Sequence, residues 1–360
     1  MSNHPQSLMD LACPQGVERI DSITAGYQAY QVLRAALELG LFDWLAENGP
    51  GCREEITTAL KLNGMFTRSF LQALVDLGFL TCKGEKYRLT ELARDFLVRR
   101  SPCYQGDLFL STARPDSWWN NFKDTLTVIK PPEQDFDAVP TPNFIKALAQ
   151  RSLRGELQAV TRSIVAWEGF RGARTLLDLG GGHGFYAIAL CQVNPNLRAV
   201  VFDKPHIIAC TREFIRQYGL EDRVIVQGGD ACSEEWGGGY DIVLISHLLY
   251  KYRKELAAFI GKAFTALKPG GLLACNHWFC APGCGSEGDG LRELDRSIHS
   301  FGHPLCHMKE FNNLLATTGF SLWQLLDVPS AYGMAKLHLA VKKGLASTKA
   351  MMPGSCSACC

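Results

Sequence analysis

Residues 176–184 read Leu-Leu-Asp-Leu-Gly-Gly-Gly-His-Gly, a short apolar run that leads directly into a glycine-rich turn. A second apolar run, residues 200–202, ends in Asp203. Glycine lets a turn approach a ligand closely because it has no Cβ atom. An acid at the end of the next strand can accept hydrogen bonds from both hydroxyls of a ribose. The order strand, turn, strand, acid therefore predicts a nucleoside-cofactor site on an α/β sheet.

The spacing of the turn distinguishes between nucleoside cofactors. A dinucleotide fold would show Gly-x-Gly-x-x-Gly, whereas Gly180, Gly182 and Gly184 follow Asp178 with the spacing Gly-x-Gly-x-Gly. This disfavours an NAD-dependent oxidoreductase. The turn resembles motif I of the class I S-adenosylmethionine-dependent methyltransferases, and segments 229–232, 240–245 and 267–274 match later motifs of that family in order.

That resemblance, which covers roughly residues 172–342, implies a cofactor and its contacts. S-adenosyl-L-methionine would lie on the turn that contains Asp178, Gly180, Gly182 and Gly184. Asp203 would bind its ribose. The adenine would lie beside Gly229, Asp230 and Ala231.

Composition limits the class of protein. The chain has 360 residues and a formal net charge of +1, so no nucleic-acid or membrane partner is expected. It contains no apolar run long enough to span a membrane, and residues 1–21 do not have the pattern of a signal peptide. Its 14 cysteines lack the spacing of a secreted scaffold. A cytoplasmic location is the expectation.

The first half of the chain has a different pattern. Apolar positions at helical spacing predict helices over 23–46, 53–62 and 67–80, followed by a hairpin that turns at Lys83-Gly84 and a helix over 91–98. Two helices and a hairpin indicate a winged helix. DNA reading would need basic residues on the second helix, which carries only Arg68. The pattern instead resembles the dimerisation domain of small-molecule O-methyltransferases, which implies a homodimer.

These observations predict a fold class and a domain order. The fold class is α/β, a Rossmann-like methyltransferase sheet with helices on both faces, preceded by an α-rich winged-helix dimerisation domain. Residues 1–20 form a flexible N-terminus, 21–105 the dimerisation domain and 106–170 a helical connector that forms one wall of the acceptor pocket. Residues 171–343 form the cofactor-binding domain and 344–360 a cysteine-rich flexible tail.

The catalytic position departs from the family. Where the family usually has a histidine after the fourth strand, this chain has Tyr250, and a tyrosine is a poor base at neutral pH. Asn276 stands where the fifth strand usually ends in an acid. His247 is the first alternative base, and His277 and His303 are further ones.

Three functions stay open at this point. The first is O-methylation of an aromatic or polyketide-like hydroxyl. The second is C-methylation of an electron-rich ring, such as a bacteriochlorophyll-type macrocycle, oriented by Tyr250. The third is a non-catalytic cofactor-binding or DNA-binding regulator.

Candidate contacts to the acceptor come from the connector and the second half. A long helix over 143–167 is predicted to contribute Phe144, and Trp119 and His303 are the other candidates. Aromatic walls imply a flat, largely apolar small molecule.

No metal is expected. His299, His303 and His307 have helical spacing, but Gly302 and Pro304 would break that helix. The cluster from Cys275 to Cys284 begins in a strand whose alternate side chains diverge. The Cys-x-x-Cys of the tail, at Cys356 and Cys359, lies on the predicted flexible extension, and the alternative to a disordered end is thiol-based binding of a soft metal or a redox contact.

Overall fold

The computed structural model describes residue 9 and residues 15–115, 117–127, 141–280, 285, 288–305 and 307–343. The chain forms two compact units, Met1–Asn120 and Asn121–Cys360. The proline-rich segment 131–140 and the cysteine-rich tail from residue 344 lie outside the described residues, as do residues 281–284 of the cysteine cluster.

The first unit is mainly helical. The helix predicted over 23–46 is two helices, because Gly40 adopts a left-handed conformation with φ 72° and ends the first of them. Leu37, Leu41 and Phe42 point into the core on either side of this break. The helices of this unit are α1 (Val17–Glu38), α2 (Leu41–Asn48), α3 (Arg53–Ala59), α4 (Gly64–Asp76), α5 (Glu91–Phe96) and α6 (Gly106–Thr112).

A small antiparallel sheet completes the first unit. Its strands are β1 (Gly51–Cys52), β2 (Leu80–Lys83) and β3 (Lys86–Leu89), in the order β1-β3-β2. The β2–β3 hairpin turns at Gly84 and Glu85, which both have positive φ, one residue later than predicted. Two helices followed by this hairpin reproduce the winged-helix pattern.

The second unit contains a seven-stranded sheet. Its strands are β4 (Thr175–Leu179), β5 (Arg198–Asp203), β6 (Val224–Gly228), β7 (Tyr240–Ser246), β8 (Leu267–His277), β9 (Phe320–Ser330) and β10 (Gly333–Lys342), in the order β6-β5-β4-β7-β8-β10-β9. All pairs are parallel except those of β10, which runs antiparallel to both of its neighbours. The strand order reverses at β4, and ligands bind at such a switch point, beyond the carboxyl ends of the strands.

Helices cover the sheet and bury its strands. Leu176, Leu177 and Leu179 of β4 are fully buried, which explains why the central strand is almost continuously apolar. The helices are α7 (Phe122–Thr127), α8 (Pro142–Ser152), α9 (Glu156–Val165), α10 (Phe185–Val193), α11 (Ile208–Gln217), α12 (Leu256–Ala266), α13 (Gly290–His299) and α14 (Met308–Thr318), with short 3-10 helices at Glu168–Gly172 and Leu249–Glu255.

The prediction of one helix over 143–167 was wrong. The chain forms α8 and α9 with a break at Gly155, whose φ is 120°. The break places Glu156 in the first turn of α9. None of the helices in the described part of the chain is both long and apolar enough to cross a membrane.

Candidate functional site

The glycine turn after β4 has the backbone that its sequence requires. Gly180, Gly182 and Gly184 have φ values of 66°, 52° and 74°, a region that residues with a Cβ atom adopt at a cost. Gly180 N donates to Phe202 O at 2.7 Å, and Thr211 Oγ1 donates to Gly182 O at 2.6 Å. These bonds hold the turn open above the ends of β4 and β5, and α10 begins immediately after it.

Asp203 lies at the carboxyl end of β5, facing the turn. Its Oδ2 accepts from Gly182 N at 2.7 Å and its Oδ1 from Lys204 N at 2.7 Å. Burial raises the pKa of this carboxyl, and the two backbone donors oppose the shift. A carboxylate has about four lone-pair sites, so two remain to accept ribose hydroxyls.

Asp178 lies beneath the turn and is only 1% exposed. A Cβ atom on Gly181 would come within 2.7 Å of the Asp178 Cγ atom, so the close approach requires glycine there. Burial raises the pKa of Asp178 to about 7.

The segment after β6 is attached to the end of β5. Gly229 N donates to Asp203 O at 3.0 Å, and Asp230 Oδ1 accepts from Cys232 N at 2.7 Å. Lys204 Nζ lies 3.2 Å from Asp230 Oδ2. These contacts bring Gly229, Asp230 and the buried Ala231 to the side of Asp203, where the sequence predicts an adenine site. The glycine turn, the carboxylate and this segment fit a nucleoside cofactor.

His247 lies directly after β7 at the same edge of the sheet. Its φ of 51° is a strained conformation for a residue other than glycine, and its backbone N donates to Asn276 O at 2.9 Å. Its Nε2 lies 2.5 Å from Glu156 Oε1 and its Nδ1 lies 2.8 Å from the Tyr250 hydroxyl. Both ring nitrogens are therefore held by the protein.

The other bonds of this network assign the protons. Trp278 N donates to the Tyr250 oxygen at 2.6 Å, so the phenol proton is directed to His247 Nδ1. The imidazole then carries its own proton on Nε2 and donates it to Glu156. Burial would raise the pKa of Glu156, but His247 and the donating amide of Asn276 lower it below the usual value.

Tyr250 supports this network and is itself buried. It is 1% exposed, and burial raises the pKa of its hydroxyl well above the usual value. Its ring stacks on Trp278 with a centroid separation of 5.4 Å. A buried phenol of this kind is a hydrogen-bond donor to His247 at neutral pH.

Sequence reasoning missed Glu156. The family positions for an acidic partner hold no acid here, yet α9 supplies one 91 residues before His247. The available signal was Gly155, which begins a new helix and places an acid in its first turn.

A series of aromatic rings extends from His247. Trp278 lies 4.1 Å from the His247 ring and 5.0 Å from that of Tyr332. His299 lies 4.4 Å from Tyr332 and stacks on Phe144 at 5.8 Å, all between ring centroids. Of the predicted acceptor contacts, Phe144 is therefore connected to the His247 site through packed rings.

The series of packed rings does not include the other two predicted contacts, His303 and Trp119, among the described contacts. His303 follows the left-handed Gly302 and its ring nitrogens lie 3.3 Å from the Cys280 sulfur. Trp119 belongs to the first unit, where its backbone N bonds to Ser117 Oγ. His299 ends α13 and His307 precedes α14, so the three spaced histidines share no helix. No group of three metal-ligating side chains occurs among the residues that the structure describes.

Comparison with known proteins identifies the family. The O-methyltransferase domain matches residues 129–321, and the O-methyltransferase dimerisation domain matches residues 22–99. The chain belongs to the O-methyltransferase family. It is a methyltransferase, and its cofactor is S-adenosylmethionine, as the resemblance of its motifs implied.

Relatives within the family differ in the atom that they methylate. The L-tyrosine C(3)-methyltransferase of Streptomyces lavendulae is 28% identical over 72% of this chain and 74% of its own. The 3-hydroxy-5-methyl-1-naphthoate 3-O-methyltransferase of Streptomyces sahachiroi is 27% identical over 71% and 75%. Human N-acetylserotonin methyltransferase shares the fold, with a TM-score of 0.72, 23% identity and coverage of 92% of this chain and 99% of that one.

Proposed function

We propose that this methyltransferase transfers the methyl group of S-adenosylmethionine to a hydroxyl of a flat, largely apolar aromatic or polyketide-like molecule. The observation that carries the proposal is the hydrogen-bonded series Glu156–His247–Tyr250 at the carboxyl edge of β7. Methyl transfer to a phenol requires that the oxygen be aimed at the methyl carbon and that its proton be removed. The series would supply a polar group that accepts this proton, next to the aromatic rings that pack beside His247.

The cofactor would be held by the residues at the ends of β4 to β6. Asp203 would accept the ribose hydroxyls, and Gly180, Gly182 and Gly184 would let the backbone approach. Gly229, Asp230 and Ala231 would border the adenine, while Asp178 supports the turn from below. When bound, the cofactor supplies an electrophilic methyl group.

The proton would be taken up by the His247–Glu156 pair. Within the described part of the chain, the hydrogen bonds from His247 and Asn276 to Glu156 both reach Oε1. The second oxygen, Oε2, is thus the atom through which the pair would accept the hydrogen of an acceptor hydroxyl. Tyr250 is a positioning residue in this scheme, because it holds the imidazole by Nδ1 without reaching the acceptor.

C-methylation is the second candidate. The observation that favours it is that both nitrogens of His247 are already bonded within the protein, which a reaction at carbon would tolerate. The L-tyrosine C(3)-methyltransferase of Streptomyces lavendulae is named for such a reaction. There the Glu156 carboxylate would accept the proton of a ring hydroxyl while the adjacent carbon attacks the methyl group. The hydrogen on that carbon would then leave as a proton, and the hydroxyl would be restored as the ring regains aromaticity.

The experiment compares variants with labelled S-adenosylmethionine and a panel of phenols that includes hydroxynaphthoates. Mass spectrometry and NMR of the product distinguish an O-methyl from a C-methyl group. Removing a general base costs about 10²–10⁴-fold in kcat, so we expect Glu156→Gln and His247→Ala to lose at least a hundredfold, and the double variant little more. Tyr250→Phe removes one hydrogen bond and is expected to lose about tenfold.

Binding of S-adenosylhomocysteine, measured by calorimetry, is the control. We expect its Kd to be unchanged in Glu156→Gln. A large increase in that Kd with kcat retained would assign Glu156 to the cofactor and overturn the proposed base. Methylation at carbon in the wild type would select the second candidate.

We also propose that the chain is a homodimer formed through its first unit. The dimerisation domain covers residues 22–99. Helix α1 exposes Ile23 and Tyr27 at 75% and 64%, and α4 exposes Phe66 at 68%. Such a concentration of exposed apolar side chains is typical of an interface.

A further inference from the structure

The guanidinium of Arg151 lies within the aromatic series, and two of its three nitrogens lack a hydrogen-bond acceptor among the described residues. Arg151 is in the last turn of α8, and its carbon Cζ lies 3.9 Å above the centre of the Tyr332 ring. Only 17% of its side chain is exposed. Its Nε and Nη1 atoms are buried and have no hydrogen-bond partner among the described residues. The buried hydroxyl of Tyr332 has none within that part of the chain either.

The surroundings pair this charge but do not satisfy its N–H groups. Asp295 Oδ2 forms an ion pair with Arg151 Nη1 at 3.8 Å, a distance that is too long for a hydrogen bond. Stacking on Tyr332 provides a cation–π contact but no acceptor for the N–H groups. Burial lowers the pKa of Arg151 to about 10, and Asp295 opposes that shift, so the side chain stays charged at neutral pH. A buried charge without hydrogen bonds is costly.

The orphaned groups lie on the wall that also holds the proposed catalytic pair. Two rings, Trp278 and Tyr332, connect His247 to Arg151 through successive packing contacts. His299 packs against the same Tyr332 ring. An aromatic molecule in contact with this wall would meet the proton-accepting pair at one end and the guanidinium at the other.

We propose that Arg151 and Tyr332 form a carboxylate-binding subsite, and that the methyl acceptor is an aromatic molecule bearing a carboxylate. This inference rests on the proposed function, since it names the class of acceptor for that site. The guanidinium is a charged donor of the kind that binds carboxylate oxygens, and its Nε and Nη1 groups have no acceptor among the described residues. The Tyr332 hydroxyl supplies a further donor. An uncharged acceptor would supply no carboxylate oxygen to the Nε and Nη1 donors, which have no other acceptor among the described residues.

The test measures binding and does not require turnover. Calorimetry in the presence of S-adenosylhomocysteine compares 3-hydroxy-2-naphthoate, 4-hydroxybenzoate and 4-hydroxycinnamate with their methyl esters. Wild type should bind at least one free acid about tenfold or more tightly than its ester, the size expected for a charge-assisted hydrogen bond pair. In Arg151→Met the acid and the ester should bind within twofold of each other.

Two further variants serve as a matched control and as a conservative substitution. Arg162→Met makes the same chemical change at an exposed position on α9 and should keep the preference for the acid. Arg151→Lys keeps the positive charge but not the planar set of guanidinium donors, and should keep part of the preference for the acid over the ester. It also provides a measurement if Arg151→Met fails to fold, which circular dichroism would reveal.

Stability gives a second readout. Asp295 also pairs with His299 at 3.5 Å, so the reference for this readout is the single variant Asp295→Asn. If the role of Arg151 is to bind a ligand, Arg151→Met combined with Asp295→Asn should unfold at a temperature no lower than Asp295→Asn alone in the absence of ligand. A clear loss of stability would mean that Arg151 is a structural residue and would overturn the proposal.

The binding results separate this proposal from the proposed function. It is overturned if no acid of the panel binds to wild type below 1 mM (about −4 kcal/mol), if the ester binds as tightly as the acid, or if Arg151→Met keeps the preference. Methylation of phenols without any preference for acids would leave the proposed reaction standing and remove the subsite. Tight binding of an acid that depends on Arg151, without methyl transfer, would support the subsite and contradict the proposed reaction.

Discussion

At the scale of single residues, two positions show how burial changes the chemistry of an ordinary side chain. Tyr250 occupies the place of the family's histidine, yet burial makes it a donor that fixes His247. Asp178 occupies the expected acidic position before the glycine turn, yet burial raises its pKa to about 7. Neither effect is visible in the sequence, because residue type alone does not give the exposure of a carboxyl or a phenol.

The raised pKa of Asp178 predicts how stability depends on pH. Between about pH 4 and pH 7 the folded protein retains this proton while the unfolded chain has released it, so stability falls as the pH rises. A shift from 3.8 to about 7 corresponds to about 4 kcal/mol. We therefore expect Asp178→Asn to gain stability relative to wild type between pH 5 and pH 8, measured by urea unfolding.

Asp241→Asn provides a contrast of opposite sign. Burial raises the pKa of Asp241, but Lys268, Arg174 and Thr175 bond to it and lower the pKa below its usual value. Its contribution to stability is present at neutral pH and is lost as the pH falls through the folded pKa. Asp241→Asn should thus be most destabilising at neutral pH. A parallel dependence in the two variants would contradict the assignment for Asp178.

At the scale of elements, the sequence predicts a strand, helix or turn best where the residues that determine it lie in one short segment. The strand and turn at 176–184 can be predicted from the sequence because a buried parallel strand is continuously apolar and a tight turn needs glycine. The breaks at Gly40 and Gly155 were missed because apolar spacing continues across both. Glu156 could not be assigned a role, since its contact with His247 joins two elements far apart in the chain.

The turn after β4 permits a matched test of its glycines. A Cβ atom on Gly182 would lie 3.4 Å from Ile145 and 4.0 Å from Asp203 Oδ2, on the side of the ribose acid. Gly219, after α11, has a φ of 64° and no heavy atom within 4 Å of such a Cβ. Both substitutions to alanine should cost about 1–2 kcal/mol of stability, because both φ values are positive.

Only Gly182→Ala should weaken the binding of S-adenosylhomocysteine, by about tenfold or more, since a loss of about 1.4 kcal/mol is tenfold. Calorimetry on both variants provides the measurement. Equal losses of affinity in Gly182→Ala and Gly219→Ala would show that the weaker binding results from lower stability of the fold and not from a blocked approach to the glycine turn.

At the scale of the whole molecule, the family match explains an otherwise unfavourable surface. The apolar side chains of α1 and α4 are exposed although the core of the first unit is complete without them. Their spacing in the sequence is that of apolar helical faces, so the sequence alone does not distinguish buried positions from exposed ones. Exposure in the structure makes that distinction, and it identifies Ile23 and Phe66 as positions for a test of the proposed association.

We expect wild type to sediment at about twice the 39.8 kDa mass of one chain. Ile23→Glu combined with Phe66→Glu should shift it to the monomer, because carboxylates buried in an apolar interface lose their hydration without a partner. Ile225→Glu is the matched control, since Ile225 is 58% exposed in the second unit, outside the dimerisation domain. This variant should remain dimeric. A wild-type monomer, or a double variant that still sediments as a dimer, would remove α1 and α4 from the interface.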